Sequence, residues 1–345
     1  MKILYGVQTT GNGHISRSRE VIRELKELGH EVQVLFSGHK PSMQSELEHF
    51  EPYQIFKGLT FCTDRGKLKY FQTALGLNFF QFYRDIVLFD GFSCDLVITD
   101  FEPISARIAR RKSLPSIGIG HQYAFSHDIP IGGANPLAWF VIKNFAPVDY
   151  PVGLHWHHFN QPILPPILPN KIESKHEKID NMILVYLPFE RLEEIMALLR
   201  PFRQYQFFVY HRLTKAENRG NIKLRPYSRA GFLSDLSQCN GVISNAGFEL
   251  ASEAMSLGKK ILVKPLAGQM EQISNGLAIA TLKLGMVMTR LDHAKVAQFL
   301  DRPAVTPIKF PNVARMAANW IESGQWEDVE GLAKMAWQRT ALPAV

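Results

Sequence analysis

Residues 239–276 constrain the fold more than any other part of this 345-residue chain. They predict a short strand, a tight turn, a helix and a second buried strand in direct succession, followed by a polar loop and another helix. The first strand covers residues 241–244 and the helix residues 248–257, and Gly258 is the residue type that ends helices. A strand–helix–strand unit of this kind predicts a parallel sheet covered by helices.

The polar residues of this segment predict an anion site. A turn of Asn245, Ala246 and Gly247 leads into the helix, whose first N–H groups have no partner within the helix and favour a phosphate. Glu249 and Glu253 lie one turn apart on one helix face. Four further polar residues follow in the next loop and helix start: Gln269, Glu271, Gln272 and Asn275. Phosphate-binding groups beside carboxylates and amides suit a nucleotide sugar.

The segment resembles the donor-binding signature of GT-B glycosyltransferases, especially the group of the UDP-glycosyltransferases and the peptidoglycan N-acetylglucosaminyltransferase. The resemblance implies that the turn from Asn245 to Gly247, with the N–H of Phe248, binds the diphosphate. It implies that Glu253 binds the ribose. The matching positions are Gly247, Glu253, Gly258, Pro265, Glu271, Gln272 and Asn275. The competing interpretation is an ordinary strand–helix–strand unit with a polar surface loop.

The same resemblance implies which residues bind the sugar and the nucleobase of the donor. Glu271 and Gln272 would bind the transferred sugar, with Gln269 beside them. Tyr227 precedes the signature by one helix, where relatives hold the nucleobase, and stacking on uracil or packing in the core are equally good accounts of it. No cofactor is expected, because the nucleotide sugar is a co-substrate.

Length and alternating strand and helix patterns predict two Rossmann-like domains facing across a cleft, the GT-B form of the α/β class. The expected boundaries are 1–160 for an acceptor-binding domain, 161–180 for a proline-rich linker and 181–345 for a nucleotide-sugar-binding domain. Residues 313–338 are predicted to be helical, and the resemblance implies that the last helix packs back on the first domain.

Net charge indicates the class of partner, and cysteine content indicates the compartment. The net charge of +7 favours an anionic partner, such as a nucleotide sugar, an acidic glycan or an anionic membrane surface, and no basic run predicts nucleic acid. Three scattered cysteines fit a reduced, cytoplasmic protein rather than a zinc site or a disulfide framework. No apolar run reaches the ~18 residues of a membrane span.

The first loop contains the catalytic candidate. Gly11, Asn12 and Gly13 follow the first strand and precede His14, with the helix predicted from residue 15. Ser16 replaces the third glycine of a dinucleotide fingerprint, and the second strand ends without the acidic residue that NAD binding needs. The resemblance implies that the loop reaches the donor phosphates and that His14 faces the acceptor. We therefore expect His14 to be the general base.

Asp100 ends the strand of residues 95–100, and the resemblance assigns it the orientation of His14. A helix cap is an equally good account of Asp100, and Glu102 is a less favoured substitute base. Additional positive charge could come from Arg17, Arg19 or Arg229.

The acceptor pocket is the least defined part of the predicted site. His121 and Gln122 follow a strand and are expected to line the acceptor side. No Asp-x-Asp motif follows a strand of the first half, and the histidines at 155, 157 and 158 lack further ligands, so no metal site is predicted. The aromatic-rich stretch 69–89, which includes Phe71, is expected to be a buried helical segment, with membrane docking as the alternative.

The sequence thus predicts an inverting, metal-independent glycosyltransferase. It would move a sugar from a nucleotide-sugar donor, for which UDP is the expected nucleotide, to a hydroxyl of a glycan, lipid or small molecule. Three rivals stay open: a non-hydrolysing UDP-GlcNAc 2-epimerase, a non-catalytic nucleotide-sugar-binding protein and, more distantly, an NAD oxidoreductase. Peripheral contact with the inner face of an anionic membrane also stays open.

Overall fold

A computed structural model describes residues 1–9, 11–38, 47–59, 63–64, 67–68, 78–89, 92–169 and 177–342. Its two halves are each built around a seven-stranded sheet, which confirms the predicted fold class. Parts of the predicted linker and of the aromatic stretch, including Phe71, lie outside the described residues.

The first sheet has the strand order β3-β2-β1-β6-β7-β8-β9, and all its pairings are parallel. Its strands and the separate β4–β5 pair are β1 (Lys2–Gln8), β2 (Glu31–Ser37), β3 (Tyr53–Phe56), β4 (Thr63–Asp64), β5 (Lys67–Leu68), β6 (Leu96–Asp100), β7 (Ser116–Gly120), β8 (Tyr150–Leu154) and β9 (Ile163–Leu164). The helices of this half are α1 (Asn12–Glu27), α2 (Phe79–Val87), α3 (Pro103–Lys112) and α4 (Pro136–Asn144). Strand β9 lies within the segment predicted as linker, yet it pairs with β8.

The second sheet has the order β12-β13-β11-β10-β14-β15-β16, in which only β12 is antiparallel to its neighbour. Its strands are β10 (Met182–Tyr186), β11 (Gln206–Tyr210), β12 (Glu217–Arg219), β13 (Ile222–Arg225), β14 (Gly241–Asn245), β15 (Lys260–Lys264) and β16 (Met286–Val287). The helices are α5 (Leu192–Leu199), α6 (Arg229–Gln238), α7 (Phe248–Ser256), α8 (Met270–Thr281), α9 (His293–Leu300), α10 (Val313–Ser323) and α11 (Val329–Gln338).

Burial explains why the central strands are mostly apolar. Every residue of β6, β7, β14 and β15 is buried, as expected for parallel strands covered on both faces. Gly258 has a φ of +62° after α7, the left-handed geometry that favours glycine at a helix end. Because parallel strands end at the same edge, β1, β6 and β7 bring the residues that follow them to one side of the first sheet.

The final segment forms two helices rather than one, and both contact the first half. Gly324, with a φ of +72°, ends α10. Asn312 donates to the Glu24 carboxylate at 3.0 Å, next to the start of α10. Trp337 of α11 donates its indole N–H to the carbonyl of Ile163 at 2.6 Å.

The expected burial of the aromatic stretch holds for only one face of its described part. Phe82 and Ile86 of α2 are buried, but Phe79, Phe80 and Tyr83 are 63%, 77% and 67% exposed. Only one face of the helix is buried, so apolar side chains on its other face remain exposed. In the part of the chain that the structure describes, no helix is both long and apolar enough to cross a bilayer.

Candidate functional site

The site lies where the first turns of α1 and α7 meet. Helix α1 begins at Asn12, three residues before the predicted start, so His14 belongs to its first turn. A Cβ added to Gly13 would lie 2.6 Å from Cγ of Glu249, on α7. The glycine therefore allows the two helix N-termini, one from each half of the chain, to come into contact.

The structure brings the two predicted catalytic residues together. His14 Nδ1 and Asp100 Oδ1 are 2.9 Å apart, and Ser18 donates its hydroxyl to the other Asp100 oxygen at 3.0 Å. The Asp100 carboxyl is fully buried, and the His14 side chain is 13% exposed. His14 thus remains accessible while a buried carboxylate orients its ring.

Arg17 is the centre of this arrangement. Its guanidinium donates to both oxygens of Asp100, from Nε at 2.9 Å and from Nη2 at 2.6 Å, and its Nη1 is paired with Glu249. Burial by itself raises the pKa of Asp100, but the charges of Arg17 and His14 outweigh burial and hold that pKa at about 2. Burial opposes the charge of Arg17, and its two carboxylate partners nevertheless raise the pKa of Arg17. Asp100 is therefore an anion at neutral pH.

The helix-cap account of Asp100 is wrong, because Glu102 caps α3. The Glu102 carboxylate accepts hydrogen bonds from the backbone N–H groups of Ile104 and Ser105. It is fully buried, and burial raises its pKa. The Glu102 carboxylate is therefore engaged in capping α3, whereas the Asp100 carboxylate contacts His14.

Two carboxyl groups of α7 lie on the other side of the site. Burial, followed by the nearby charges of Asp100 and Glu253, raises the pKa of Glu249 to about 8, although Arg17 opposes the change. Burial also raises the pKa of Glu253 to about 7, against the charge of Arg229. Both groups therefore exchange protons near neutral pH, in contrast to Asp100.

The predicted phosphate-binding turn is open at its glycine. Gly247 is the N-cap of α7, and no described side chain caps that helix or lies within 4 Å of a Cβ placed on Gly247. Gly11 has the same role in α1, with no capping side chain among the described residues. The side-chain oxygen of Asn245 is buried without a hydrogen-bond partner among the described residues, whereas its amide donates to the carbonyl of Lys264. Ala246 is buried, and its carbonyl accepts from Asn275 at 2.9 Å.

The first turn of α8 divides the predicted sugar-binding residues into two groups. Gln272 uses its side-chain oxygen to accept the backbone N–H of Leu266 at 2.9 Å, so it supports the preceding loop. Glu271 accepts a hydrogen bond from Gln122, in the first half of the chain. The side-chain oxygen of Gln269 is buried with no partner among the described residues. The latter two remain available for a ligand.

His121 and Gln122, which the sequence predicted to line the acceptor side, both contact the second half of the chain. The His121 ring stacks on Phe248 of α7, with centroids 4.0 Å apart, and its Nε2 lies 2.6 Å from Oδ1 of Asn275. Gln122 donates its amide N–H to Glu271 at 3.0 Å. Burial lowers the pKa of His121. The edge of the first sheet therefore closes directly on α7 and α8.

The remaining candidates lie around this centre. Tyr227 is half-buried and packs edge-on against Tyr186 at 5.8 Å, and Arg229 approaches the Ser16 hydroxyl at 3.4 Å. Arg19 lies over the ring of Phe50, outside the site. No group of three His, Cys, Asp or Glu side chains in the described ranges could hold a metal ion, and this includes the histidines at 155, 157 and 158.

Sequence reasoning named Arg17 only as a source of positive charge and missed both its pairing with Asp100 and Glu249 and the contact of Ser18 with Asp100. Both lie on the face of α1 that carries His14, at spacings of three and four residues. That signal was present in the sequence, but it depended on placing the start of α1 at Asn12 rather than after His14.

Comparisons with known proteins identify the family and the fold. The model of "Glycosyl transferase family 1" matches residues 1–303. No curated protein sequence matches the chain.

Several solved structures share the fold at low sequence identity. The glycotransferase of kitacinnamycin is 15% identical with a TM-score of 0.61, and the match covers 97% of each chain. The spinosyn rhamnosyltransferase SpnG in complex with thymidine diphosphate is 13% identical with a TM-score of 0.61, over 97% of this chain and 96% of that one. SnogD from Streptomyces nogalater is 15% identical with a TM-score of 0.54, over 97% and 98% of the two chains.

Proposed function

The chain belongs to glycosyl transferase family 1 and is a glycosyltransferase that uses a nucleotide-sugar donor; from this premise we propose an inverting, metal-independent transfer of a sugar from a UDP-linked donor to an acceptor hydroxyl. The observation that carries the proposal is the 2.9 Å contact between His14 and Asp100 where two helix N-termini converge. Cytoplasmic location is part of the same proposal and fits the buried free thiols of Cys94 and Cys239.

His14 provides the base that an inverting transfer needs. With its Nδ1 proton donated to Asp100, the Nε2 atom carries the free lone pair. In the proposed step the acceptor oxygen attacks the anomeric carbon, the bond from that carbon to the diphosphate oxygen breaks, and Nε2 takes the hydroxyl proton. The ionised Asp100 stabilises the imidazolium that forms, as in other histidine–carboxylate pairs.

The leaving diphosphate requires positive potential rather than a metal ion. The open N-termini of α1 and α7 supply backbone N–H groups and the positive ends of two helix dipoles. Gly11, Asn12 and Gly13 would approach the diphosphate from one side, and Gly247 with the N–H of Phe248 from the other. Such preorganised donors stabilise charge that develops on a leaving group.

The remaining donor contacts are assigned to the ribose, the nucleobase and the sugar. Glu253, buried beside Arg229, is proposed to bind the ribose hydroxyls, and Tyr227 the nucleobase. Glu271 and Gln269 are proposed to bind the sugar, because the one carries a carboxylate and the other a buried oxygen without a described partner. Asn275 holds the carbonyl of Ala246 and Gln272 the N–H of Leu266, so both support the neighbouring turns.

Donor screening tests the proposal directly. UDP-glucose, UDP-GlcNAc, TDP-glucose, GDP-mannose and NAD would each be added at increasing concentration while thermal unfolding is recorded. A ligand at about a hundred times its Kd stabilises the native state by ~2.7 kcal/mol, which is a shift of several degrees. We expect a shift with a UDP-sugar; a shift with NAD and with no nucleotide sugar would contradict the proposal.

Turnover separates the enzyme from its rivals. His14→Ala should bind the donor as the wild type does and lose transfer by roughly 10²–10⁴-fold. His293→Ala, at an exposed helix start, is the control. A new sugar nucleotide formed from UDP-GlcNAc without an acceptor would indicate a 2-epimerase. Donor binding without turnover on any acceptor would indicate a binding protein.

An exposed aromatic face supports the membrane as an acceptor-side partner. Among the described residues, exposed apolar side chains lie on two helices, Phe79, Phe80 and Tyr83 on α2 and Leu137 and Phe140 on α4, each about half exposed or more. Helix α3 carries four basic residues: Arg107, Arg110, Arg111 and Lys112. Arg107 joins the elements, because it lies over Phe82 of α2 and donates to carbonyls at the end of α4. Aromatic side chains beside basic ones suit an anionic bilayer surface.

Vesicle flotation tests this docking surface. We expect binding to phosphatidylglycerol vesicles, weaker binding to phosphatidylcholine vesicles, and loss of binding in Phe80→Ser. Met335→Ser removes an exposed apolar side chain from α11 and serves as the control. Equal loss in both variants, or no preference for the anionic lipid, would contradict the proposal.

A further inference from the structure

The proposed reaction assigns Gln122 neither to the catalytic pair nor to the donor-binding residues. It lies directly after β7, in the turn formed by residues His121–Ser126, and its side chain is only 5% exposed. Its amide nitrogen donates to Oε2 of Glu271 at 3.0 Å, which joins the first half of the chain to the first turn of α8. A residue of the predicted acceptor domain thus contacts the carboxylate proposed to hold the donor sugar.

The other atom of the Gln122 amide is left without a partner. Its Oε1 is buried and accepts no hydrogen bond from any described residue. The side-chain oxygen of Gln269, two residues before Glu271, is in the same condition. Buried carbonyl oxygens nearly always have a donor in native proteins, so each unpaired acceptor here demands an explanation. Both are acceptors: Gln122 bonds to the Glu271 carboxylate through its amide N–H, and Gln269 precedes Glu271 by two residues.

The free oxygen of Gln122 also borders the catalytic group. A Cβ placed on Gly120 would lie 3.1 Å from Oδ1 of Asp100, 3.4 Å from Oε1 of Gln122 and 3.7 Å from Nη2 of Arg17. The glycine leaves space between the Asp100 carboxylate and the Gln122 oxygen. A ligand in contact with Glu271 and close to His14 would therefore pass this oxygen.

We propose that Gln122 is a specificity residue for the donor sugar and that its side-chain oxygen accepts a hydrogen bond from a ring hydroxyl. Together with Gln269 and Glu271 it forms a set of acceptors that only hydroxyl or amide donors can satisfy. The favoured sugar is a hexose with free hydroxyls on the face that meets α8, and a deoxysugar leaves a buried oxygen unpaired. This inference rests on the proposed transfer reaction, and it adds a first-domain residue to sugar selection.

Matched donors test the selection. UDP-glucose and its 3-, 4- and 6-deoxy analogues would be compared as substrates of the wild type and of Gln122→Met, which keeps the volume and removes the amide. A site built to hydrogen-bond a hydroxyl discriminates strongly against its absence. We expect kcat/KM of the wild type to fall about ten- to a hundredfold for at least one deoxy analogue. Gln122→Met should lose most of that discrimination.

UDP binding keeps the two hypotheses apart. UDP alone, which lacks the sugar, should bind Gln122→Met within about threefold of the wild-type affinity, since this factor is below the loss of one net hydrogen bond. Failure of the wild type to bind UDP, TDP or their sugars would refute the proposed reaction. Normal UDP binding with equal use of glucose and all deoxy analogues would refute only the role of Gln122.

Two further variants guard against a merely structural effect. Gln122→Asn retains the amide but withdraws its oxygen by one methylene, and it should lower discrimination even if Gln122→Met fails to fold. Gln33→Met replaces another buried glutamine, near the amino end of β2 and away from the edge that carries Asp100, and should leave the sugar preference unchanged. A uniform loss on every donor in Gln122→Asn, with unchanged ratios, would overturn the inference.

Discussion

Replacing Glu249 with glutamine tests the electrostatics of the junction between α1 and α7. The Glu249 side chain is 11% exposed and pairs with Arg17, which already neutralises Asp100. Burial is the main reason that its pKa rises to about 8, and the charges of Asp100 and Glu253 act in the same direction. The donor-free protein therefore holds a carboxyl group that resists ionisation.

The cost can be worked out from the pKa. The ordinary value for this carboxyl is 4.5, and the folded protein raises it to about 8. At about 1.36 kcal/mol for each tenfold change in the ionisation constant, ionising Glu249 in the native state costs roughly 5 kcal/mol. Below pH 4.5 both the folded and the unfolded chain carry the proton, so no cost arises. As the pH rises to about 8 the unfolded chain ionises first, and stability is lost.

Glutamine removes this dependence. Glu249→Gln cannot ionise, and its side-chain oxygen still accepts from Arg17, so it should match the wild type at about pH 4. Near pH 8 it should be more stable by about 4 kcal/mol, because the pKa of about 8 already includes the attraction to Arg17.

Chemical denaturation followed by tryptophan fluorescence at both pH values measures the difference. Glu330→Gln is the matched control, because Glu330 also lies in the first turn of a helix but is exposed. If Glu249→Gln were less stable than the wild type near pH 8, the ion pair with Arg17 would outweigh burial and the reasoning would be refuted.

Two further substitutions test the geometry of the site. Asp100→Asn should lower kcat by roughly 10²–10⁴-fold, because the neutral amide cannot stabilise a protonated His14; steady-state kinetics with unchanged kcat would contradict this. Gly13→Ala places a methyl carbon 2.6 Å from Cγ of Glu249 and should lower the unfolding free energy by about 1–3 kcal/mol in thermal denaturation. Gly11→Ala, whose added Cβ meets no described atom within 4 Å, is its control, and equal stabilities would show that α1 and α7 adjust without cost.

The sequence predicted the sheets well because their signals are local. Apolar runs such as residues 241–244 and 260–264 read directly as buried parallel strands, and the structure places β14 and β15 there. The start of α1 was wrong because glycine disfavours helices, and the residues at 11 and 13 suggested a loop. The contact of Gly13 with Glu249, 236 positions away in the chain, overrides that local preference.

Contacts between the halves explain the other differences. The hydrogen bond from Gln122 to Glu271 joins residues 149 positions apart, and no periodic pattern encodes such a pair. His121 and Gln122 were therefore assigned from their strand alone, and their contacts with Phe248 and Glu271 could not be predicted. The exposure of Phe79 and Phe80 was missed for a different reason: composition measures how apolar a helix is, whereas burial depends on how much of its surface neighbouring elements cover.

The charges around Arg17 connect the stability of the empty site with the proposed reaction. One guanidinium serves Asp100 and Glu249, and Glu253 lies near enough to raise the pKa of Glu249 further. A diphosphate entering between α1 and α7 adds negative charge to this group, which favours the protonated forms of Glu249 and Glu253 because their pKa values already lie near neutrality. Asp100, with a pKa of about 2, keeps its charge throughout. The site can therefore accept an anionic donor by taking up protons on α7 while the carboxylate that orients His14 stays ionised.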